Sequence, residues 1–399
     1  MSAVRRKKEE MESMDDFVSL LEVLPSPFQS GNPARRGTRS RERTRGWSIP
    51  GLLLRRAAAA FLALFFLAGG GLPAPALGNP GTAAGAVASP SPIRIAINVG
   101  PKTLPDLPIL YAKKHGLFRK YGLEPDFREL SGVRNLVAAL ISGEAEMANP
   151  RGGVLTAIAE GADITVVGVS TPWLPYYFLT RPETATPADL AGKKIVLTSE
   201  TGLQGTNRFF LEKMGLGDGK GVSILVMPNT SARIAALESG AIAGALLTPP
   251  SAMVAMERGL RVFFDFLEAG ANAPSSANFI SASGQFLREH PDRVRAFLKA
   301  VSEASFLMKR DREGTVSLLA EHFSLDQASE RKALERSYDA FVLGCLPVVP
   351  RLDGEVTGSL LRILGEGNPK AASLRPEQIF DGEPLRILGD EGFFREIHD

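Results

Sequence analysis

The sequence predicts an α/β chain of two similar lobes, each built on a doubly wound sheet, joined by a hinge and separated by a cleft. Strand-like and helix-like segments alternate from Ile93 onward, the pattern of βαβ units. One arrangement also occurs twice. A helix closes on Ser-Gly at Leu140-Ile141-Ser142-Gly143 and again at Leu237-Glu238-Ser239-Gly240. Each copy is followed by a short apolar strand and a proline-bearing loop, Asn149-Pro150 and Thr248-Pro249. Upstream of each copy stand a strand and a helix ending in Lys114-His115-Gly116-Leu117 or Lys213-Met214-Gly215-Leu216. Finally, the spacing is nearly constant: Gly116 to Gly215 and Pro150 to Pro249 are 99 apart, Ser142 to Ser239 is 97. Such self-similarity over four successive elements marks a repeated unit. Two lobes in one chain imply a cleft at the carboxyl ends of their strands, where ligands of open α/β sheets bind.

At 399 residues, with 44% apolar and 23% charged residues, the chain has an ordinary globular composition and length for large cores. The net charge of +2 is unevenly spread. Residues 1–56 hold 12 Lys/Arg and 7 Asp/Glu, leaving 34 basic and 37 acidic residues in the remainder. A basic head on a mildly acidic body argues against a nucleic-acid protein and for a targeting segment. The one cysteine, Cys345, excludes an intramolecular disulfide and a cysteine metal cluster, and its apolar run reads as a buried hydrophobe.

Within the head, Arg55-Arg56 precede the uncharged run Ala57 to Ala68, and Ala74-Pro75-Ala76 follows it. The run is shorter than the roughly 20 residues a membrane span needs. Positive flank, short apolar core and small-residue site describe a secretory signal cleaved near Ala76–Gly78, with a retained N-terminal anchor as the alternative. Residues 1–78 are thus read as an extension plus signal, and 79–91, rich in Ala, Gly, Pro and Ser, as a flexible linker. The working protein is expected outside the cytoplasm. Residues 1–50 are an unusually long Arg-rich stretch before a signal, either disordered or the product of a start codon placed too early.

In the body, Ile93, Ile95, Ile97 and Val99 alternate as a first strand, and a helix runs from about Leu107 to His115. A second strand, Glu124 to Leu130, precedes a helix from Gly132 to Ile141. Met147-Ala148 is a short third strand opening into Asn149-Pro150-Arg151-Gly152-Gly153 and a helix to Glu160. Ile164 to Val169 is apolar but for Thr165, as expected inside a parallel sheet covered on both faces. Tyr176 to Thr180 and Asn278 to Ser281 read as the two crossings between lobes. Lobe I is expected over 92–181, lobe II over 182–273, and a return to lobe I with C-terminal helices over 274–399. His290-Pro291-Asp292 opens a long helix whose Val294, Phe297, Leu298, Val301 and Phe306 share one face. Helices over Gly314 to His322 and Ala328 to Tyr338 are expected to pack on lobe I, and the tail beyond Pro350 gives little signal.

The run Leu110-Tyr111-Ala112-Lys113-Lys114-His115-Gly116-Leu117-Phe118-Arg119-Lys120-Tyr121-Gly122-Leu123 resembles the periplasmic solute-binding proteins for nitrate, taurine and alkanesulfonates, a group that includes thiamine-precursor binders. Leu190-Ala191-Gly192-Lys193-Lys194-Ile195 is similar to that family's entry to its second lobe, and the likeness spans roughly Pro92 to Arg310. The resemblance implies a two-lobed type II periplasmic-binding-protein fold. It also implies a monomer that hands a small-molecule solute to an ABC permease in the inner membrane, with no cofactor and no catalysis. Where many members carry Asp after the Ser-Gly elements, this chain has Glu146 and Gly244; where many carry Trp-Glu-Pro, it has Thr248-Pro249-Pro250. On that reading an acid and an aromatic are missing from the site. The cysteine-rich motif of the related pyrimidine-synthesising enzymes is also absent, which leaves an iron-dependent reaction without support.

A binding site needs convergent polar groups and some apolar surface. Ser199-Glu200-Thr201-Gly202 follows a strand and opens a helix, a place for an anion or for plain N-caps. Arg151 holds the equivalent turn of the first lobe, as a bidentate clamp for a carboxylate or sulfonate or as a solvated surface residue. Lys102 is a further cationic candidate. Trp173 ends a buried strand and either lines the cleft or fills the core; with Tyr176 it leaves room for a planar heterocycle. Asn98, Asn149, Thr248 and Asn278 share positions where a ligand contact and a local turn bond are both open. His115, His290, His322 and His398 are scattered, no pair has metal or catalytic spacing, and no Ser/His/Asp grouping stands out. A binder of a small organic anion is the first reading. A heterocycle binder, a sensory subunit, or an enzyme resembling a menaquinone-pathway dehydratase are the alternatives, and the secretory signal argues against the enzyme.

Overall fold

The computed structural model describes residues 90–399 apart from 101, 198–203, 218, 220, 228, 270–276, 352–357, 360, 363–368 and 399. The secretory signal, the linker, and Ser199, Thr201 and Gly202 among the site candidates therefore lie outside the described residues. The first lobe grows from β1 (Ser91–Gly100), whose Ile93, Ile95 and Ile97 are buried. It is followed by α1 (Leu107–Lys114), α2 (Leu117–Lys120) and β2 (Leu123–Ser131), which pairs with β1 in parallel. Gly116 joins the two helices at φ 68°, a left-handed turn that glycine takes without a Cβ clash. Then come α3 (Val133–Ser142), β3 (Met147–Ala148), α4 (Gly153–Ala159) and β4 (Ile164–Thr171).

The chain crosses over and enters a second sheet as β5 (Tyr177–Thr180). There follow β6 (Lys194–Val196), α5 (Gln204–Lys213), β7 (Ser223–Leu225), α6 (Thr230–Glu238), β8 (Gly244–Leu247), α7 (Ser251–Glu257) and β9 (Arg261–Asp265). It returns to the first sheet as β10 (Asn278–Ser283). The strand orders are β2-β1-β3-β10-β4 and β7-β6-β8-β5-β9. Taken in parallel, β2/β7, β1/β6, β3/β8 and β4/β9 occupy matching places, so the repeat seen in the sequence is a repeat of topology. The fourth strand of each sheet, β10 or β5, is the one that arrives from the other lobe, and it runs antiparallel to both of its neighbours.

That arrangement corrects the expectation for Ile164 to Val169. β4 is not inside a parallel sheet but at the edge of a mixed one, paired antiparallel to β10. All of it but the half-buried Thr165 is buried, because the C-terminal segment covers the open edge. Val166 N donates to Ile379 O at 2.9 Å, Asp381 N to Val166 O at 3.0 Å, and Val169 N to Pro350 O at 3.0 Å. An apolar edge strand left bare would template aggregation; here the chain closes its own edge.

After β10 come α8 (Gly284–Glu289), α9 (Pro291–Arg310), α10 (Arg312–Phe323) and α11 (Arg331–Tyr338). α9 lays Val294, Phe297, Leu298 and Val301 on the first lobe. α10 is tied to the same lobe by Lys114–Glu321 at 2.9 Å and by His322 Nε2 at 3.1 Å from Thr103 O. α11, also expected on lobe I, instead packs on α7 of lobe II. Ala333 shares an apolar cluster with Met253 and Val254, and Glu257 pairs with Lys332 at 2.7 Å and Arg336 at 3.0 Å. Its buried set, Ala333, Leu334, Ser337 and Tyr338, defines an inward face but carries no information about which lobe supplies the other wall. Beyond it, α12 (Pro369–Ala372), α13 (Glu383–Asp390) and α14 (Phe393–Glu396) complete the chain, with Phe393 edge-on to Tyr121 at 5.8 Å.

Candidate functional site

β3 delivers Asn149 to the carboxyl edge of the first sheet, where Asn149 is 3% exposed and fully used. Its Nδ2 donates to Pro105 O at 2.9 Å, its Oδ1 accepts from Ser170 Oγ at 2.7 Å, and its carbonyl accepts from Asn278 Nδ2 at 3.1 Å. Ser170 Oγ also lies 3.3 Å from Asn278 O. Four segments, the loop before α1, β3, β4 and β10, are thereby locked at one point. Two residues on, Arg151 makes a bridge with Asn278, and Phe279 N donates to Pro150 O at 2.9 Å. The backbone of Arg151 is thus fixed by the strand that returns from the other lobe.

The Arg151 side chain hydrogen-bonds the hydroxyl of Tyr176, a residue of the first crossing. The Tyr176 ring stands edge-on to Phe210 of α5 at 5.2 Å, so this one side chain touches both lobes. Burial pushes the Tyr176 phenol up, while the Arg151 and Arg233 cations beside it pull the other way. Arg233 comes from α6 of lobe II. It is 7% exposed, with Nε donating to Met227 O at 2.5 Å and Nη1 to Leu246 O at 3.2 Å. Desolvation lowers its pKa, Tyr176 counters this, and Arg151 lowers it further, so the two guanidiniums sense one another. Among the described residues no carboxylate is ion-paired to Arg233.

The third charged member is Asp106, 2% exposed at the start of α1. Thr103 Oγ1 donates to its Oδ2 at 2.6 Å. Burial raises its pKa to about 7, with the Thr103 bond and the charge of Arg151 working in the opposite direction. Two cations from opposite lobes, a carboxyl whose pKa burial raises to about 7 and a tyrosine thus influence one another in largely buried surroundings of net positive charge. Such surroundings are suited to an anion.

The predicted residues divide accordingly. Asn149, Arg151 and Asn278 are brought together, the two asparagines in buried structural bonds. Thr248 follows β8, and its carbonyl accepts from Ala252 N at 3.0 Å to start α7. Trp173 is half-buried against the apolar core of the first lobe. Asn98 Oδ1 accepts from Gly132 N at 2.9 Å and shapes the turn before α3; Lys102 Nζ donates to Ser324 Oγ at 2.7 Å on the end of α10. Glu146 and Gly244 precede β3 and open β8, at the strand ends away from the loops of Arg151 and Thr248, so they do not leave an acid missing from the site. Glu146 pairs with Arg94 at 2.8 Å, and a Cβ at Gly244 would meet the buried Phe178 ring at 2.2 Å.

Asp106 and Arg233 were not singled out by sequence. The signal for Arg233 is its phase: it shares the buried face of α6 with Ile234 and Leu237, and the 97-residue offset aligns it with the core residue Leu136. A charged residue at a core position is the exception to look for. Asp106, among Leu104, Pro105, Leu107 and Pro108, carries the same signal.

A family model described as NMT1/THI5 like matches residues 106–313. No curated protein matches the chain. Among solved structures, the aliphatic sulphonate binding protein SsuA from Escherichia coli aligns with a TM-score of 0.59 and 19% identity, covering 73% of this chain and 92% of that one. The periplasmic nitrate-binding protein NrtA from Synechocystis PCC 6803 gives 0.56 and 14%, covering 76% and 89%. The desulfurization enzyme DSZB gives 0.56 and 18%, covering 76% and 99%. The fold is that of the type II periplasmic binding proteins, and it is one that solute binders and at least one enzyme share.

Proposed function

Since the chain belongs to the NMT1/THI5-like family, we propose that it is an extracytoplasmic solute-binding protein that closes two lobes on a small organic anion, a sulfonate or carboxylate. The observation that carries this is the meeting of Arg151 and Arg233, one from each lobe, at Tyr176. An anion between them gains charge-assisted hydrogen bonds from both sides only when the lobes approach. It thus favours the closed state by its differential affinity for that state. Delivery to an ABC permease, secretion by the signal at residues 1–78 and a monomeric state belong to the same proposal. So do the lobe boundaries 92–181, 182–273 and 274–399. The periplasmic sulfonate- and nitrate-binding proteins that share the fold support it.

The test is a thermal-shift screen of the protein with sulfonates, nitrate, carboxylates, pyrimidines and flavins, followed by calorimetry on the hits. Binding to the folded state alone stabilises by about 2.7 kcal/mol at a hundred times Kd. We expect sulfonate or carboxylate hits that Arg151→Ala abolishes. A neutral heterocycle that binds equally well to Arg151→Ala would overturn the anion in favour of ring stacking on Trp173 and Tyr176. The shared fold of DSZB makes an enzyme the second reading, and its mark in the same assay is turnover of a bound sulfur acid.

A further inference from the structure

We propose that the first lobe carries a further small-molecule site, at the end of its sheet opposite Arg151, and that this site takes a zwitterionic amino acid with an apolar side chain. It uses none of the residues gathered around Tyr176, so it stands or falls apart from the anion reading.

A cavity of about 550 Å³ opens there. Its place follows from the strands. Thr165 lies at the start of β4 and Gly284 just past the end of β10, and both line the cavity. β3 and β4 both run antiparallel to β10 and so point the same way, and Arg151 follows the far end of β3. One wall is made by α8 and the first turns of α9, the other by α13 and the segment that closes the β4 edge. Both walls are fixed by bonds of their own. On the first, Gly284 N donates to Asp163 O at 2.8 Å, and Arg288 grips the Asp163 carboxylate at 2.8 and 3.0 Å. On the second, Ile379 and Asp381 bond the backbone of Val166, and Asp381 Oδ1 accepts from Glu383 N at 2.9 Å.

The two walls differ in charge. The α8–α9 wall presents Arg288 and Arg295; the other presents Glu377, Asp381 and Glu383. Some of these charges are already answered, Arg288 by Asp163 and Glu383 by Arg386. The half-buried Arg295 and the exposed Glu377 are not. Among the described residues neither side chain has an ion pair or a hydrogen bond, with the other or with any third group. Leu287, Phe380 and Ile387 add apolar surface to the same lining.

A cation and an anion unpaired on the two walls match a molecule that carries both charges itself. An anion alone would leave Glu377 repelling it, and a cation alone would meet Arg295 in the same way. A zwitterion answers both: its carboxylate takes the Arg295 fork, its ammonium takes Glu377, and an apolar side chain covers the remaining surface. The volume falls within the roughly 300–1,000 Å³ of small-molecule sites, which combine apolar lining with a few placed polar groups. Because both charges reach solvent, added salt weakens the complex.

Ligand-observed NMR titration of the full-length protein at low ionic strength tests the site, with L-leucine as the probe. N-acetyl-L-leucine lacks the ammonium and L-leucinamide the carboxylate, so each should bind about tenfold more weakly than L-leucine. Arg295→Gln and Glu377→Gln should each weaken L-leucine by a similar factor. Neither side chain has a partner to lose, so both variants keep the fold. Arg151→Ala should bind L-leucine as the parent does. No binding of L-leucine to the parent overturns the site, and so does either blocked derivative binding as tightly as L-leucine. Binding that survives in Arg295→Gln but is lost in Arg151→Ala overturns it too, since the amino acid then sits in the cleft and the anion reading gains.

Discussion

Arg233 shows what one buried cation can and cannot do. Its guanidinium is desolvated and held by two carbonyls, so it is costly to bury and is oriented before any ligand arrives. Buried charges often contribute little to stability, and an apolar residue of similar size can replace them without loss. Arg233→Met should therefore leave the thermal midpoint unchanged or higher while weakening sulfonate binding by about 10- to 100-fold, the loss of one charged hydrogen-bonding partner. Equal binding by variant and parent would remove Arg233 from the site. Sequence gave access to Arg151, because a turn after a strand is a local feature with a known relation to ligands. Arg233 is on a helix, and its approach to Arg151 depends on the packing of two lobes, which no local pattern records.

Among the elements, β4 is the one whose environment was misjudged. Its composition correctly announced burial on both faces, but its cover comes from Pro350 and the Ile379–Asp381 segment, some two hundred residues later in the chain. The contact is close enough to test. A Cβ at Gly168 would lie 2.9 Å from Pro350 O and 3.2 Å from Pro350 Cβ, and backbone cannot swing aside as a long side chain can. Gly168→Ala should cost about 1–3 kcal/mol, the usual penalty of overpacking, seen as a lower urea midpoint. No change would mean that the C-terminal segment is not docked on this edge in solution. By contrast, α1, β3 and the start of α9 are legible to within a residue or two, since alternation, helical spacing, proline and glycine specify them locally.

At the scale of the molecule, two strongly perturbed titrating groups that share Thr103 as a partner act against each other. Asp106 bonds the Thr103 hydroxyl and His322 the Thr103 carbonyl, yet their shifts have opposite sign. Asp106 rises from 3.8 to about 7, so its contribution to stability is complete below 3.8 and is lost as pH climbs through 7. His322 falls from 6.5 to about 4, so its contribution is complete above 6.5 and is lost as pH drops through 4. Between pH 4 and 6.5 the folded chain carries one proton on Asp106 and none on His322, and the unfolded chain the reverse. The proton counts match, and stability depends on pH only through their difference. The pair thus keeps its joint contribution to the stability of the folded chain nearly constant across mildly acidic conditions. Removing either partner exposes the other. Relative to the parent, Asp106→Asn should gain stability as pH rises from 4.5 to 6.5, and His322→Gln should lose it, each with a slope of up to about 1.4 kcal/mol per pH unit. Urea midpoints at pH 4.5, 5.5 and 6.5 measure both slopes, and two variants that track the parent in parallel would show that neither group is held in the folded state as its burial implies.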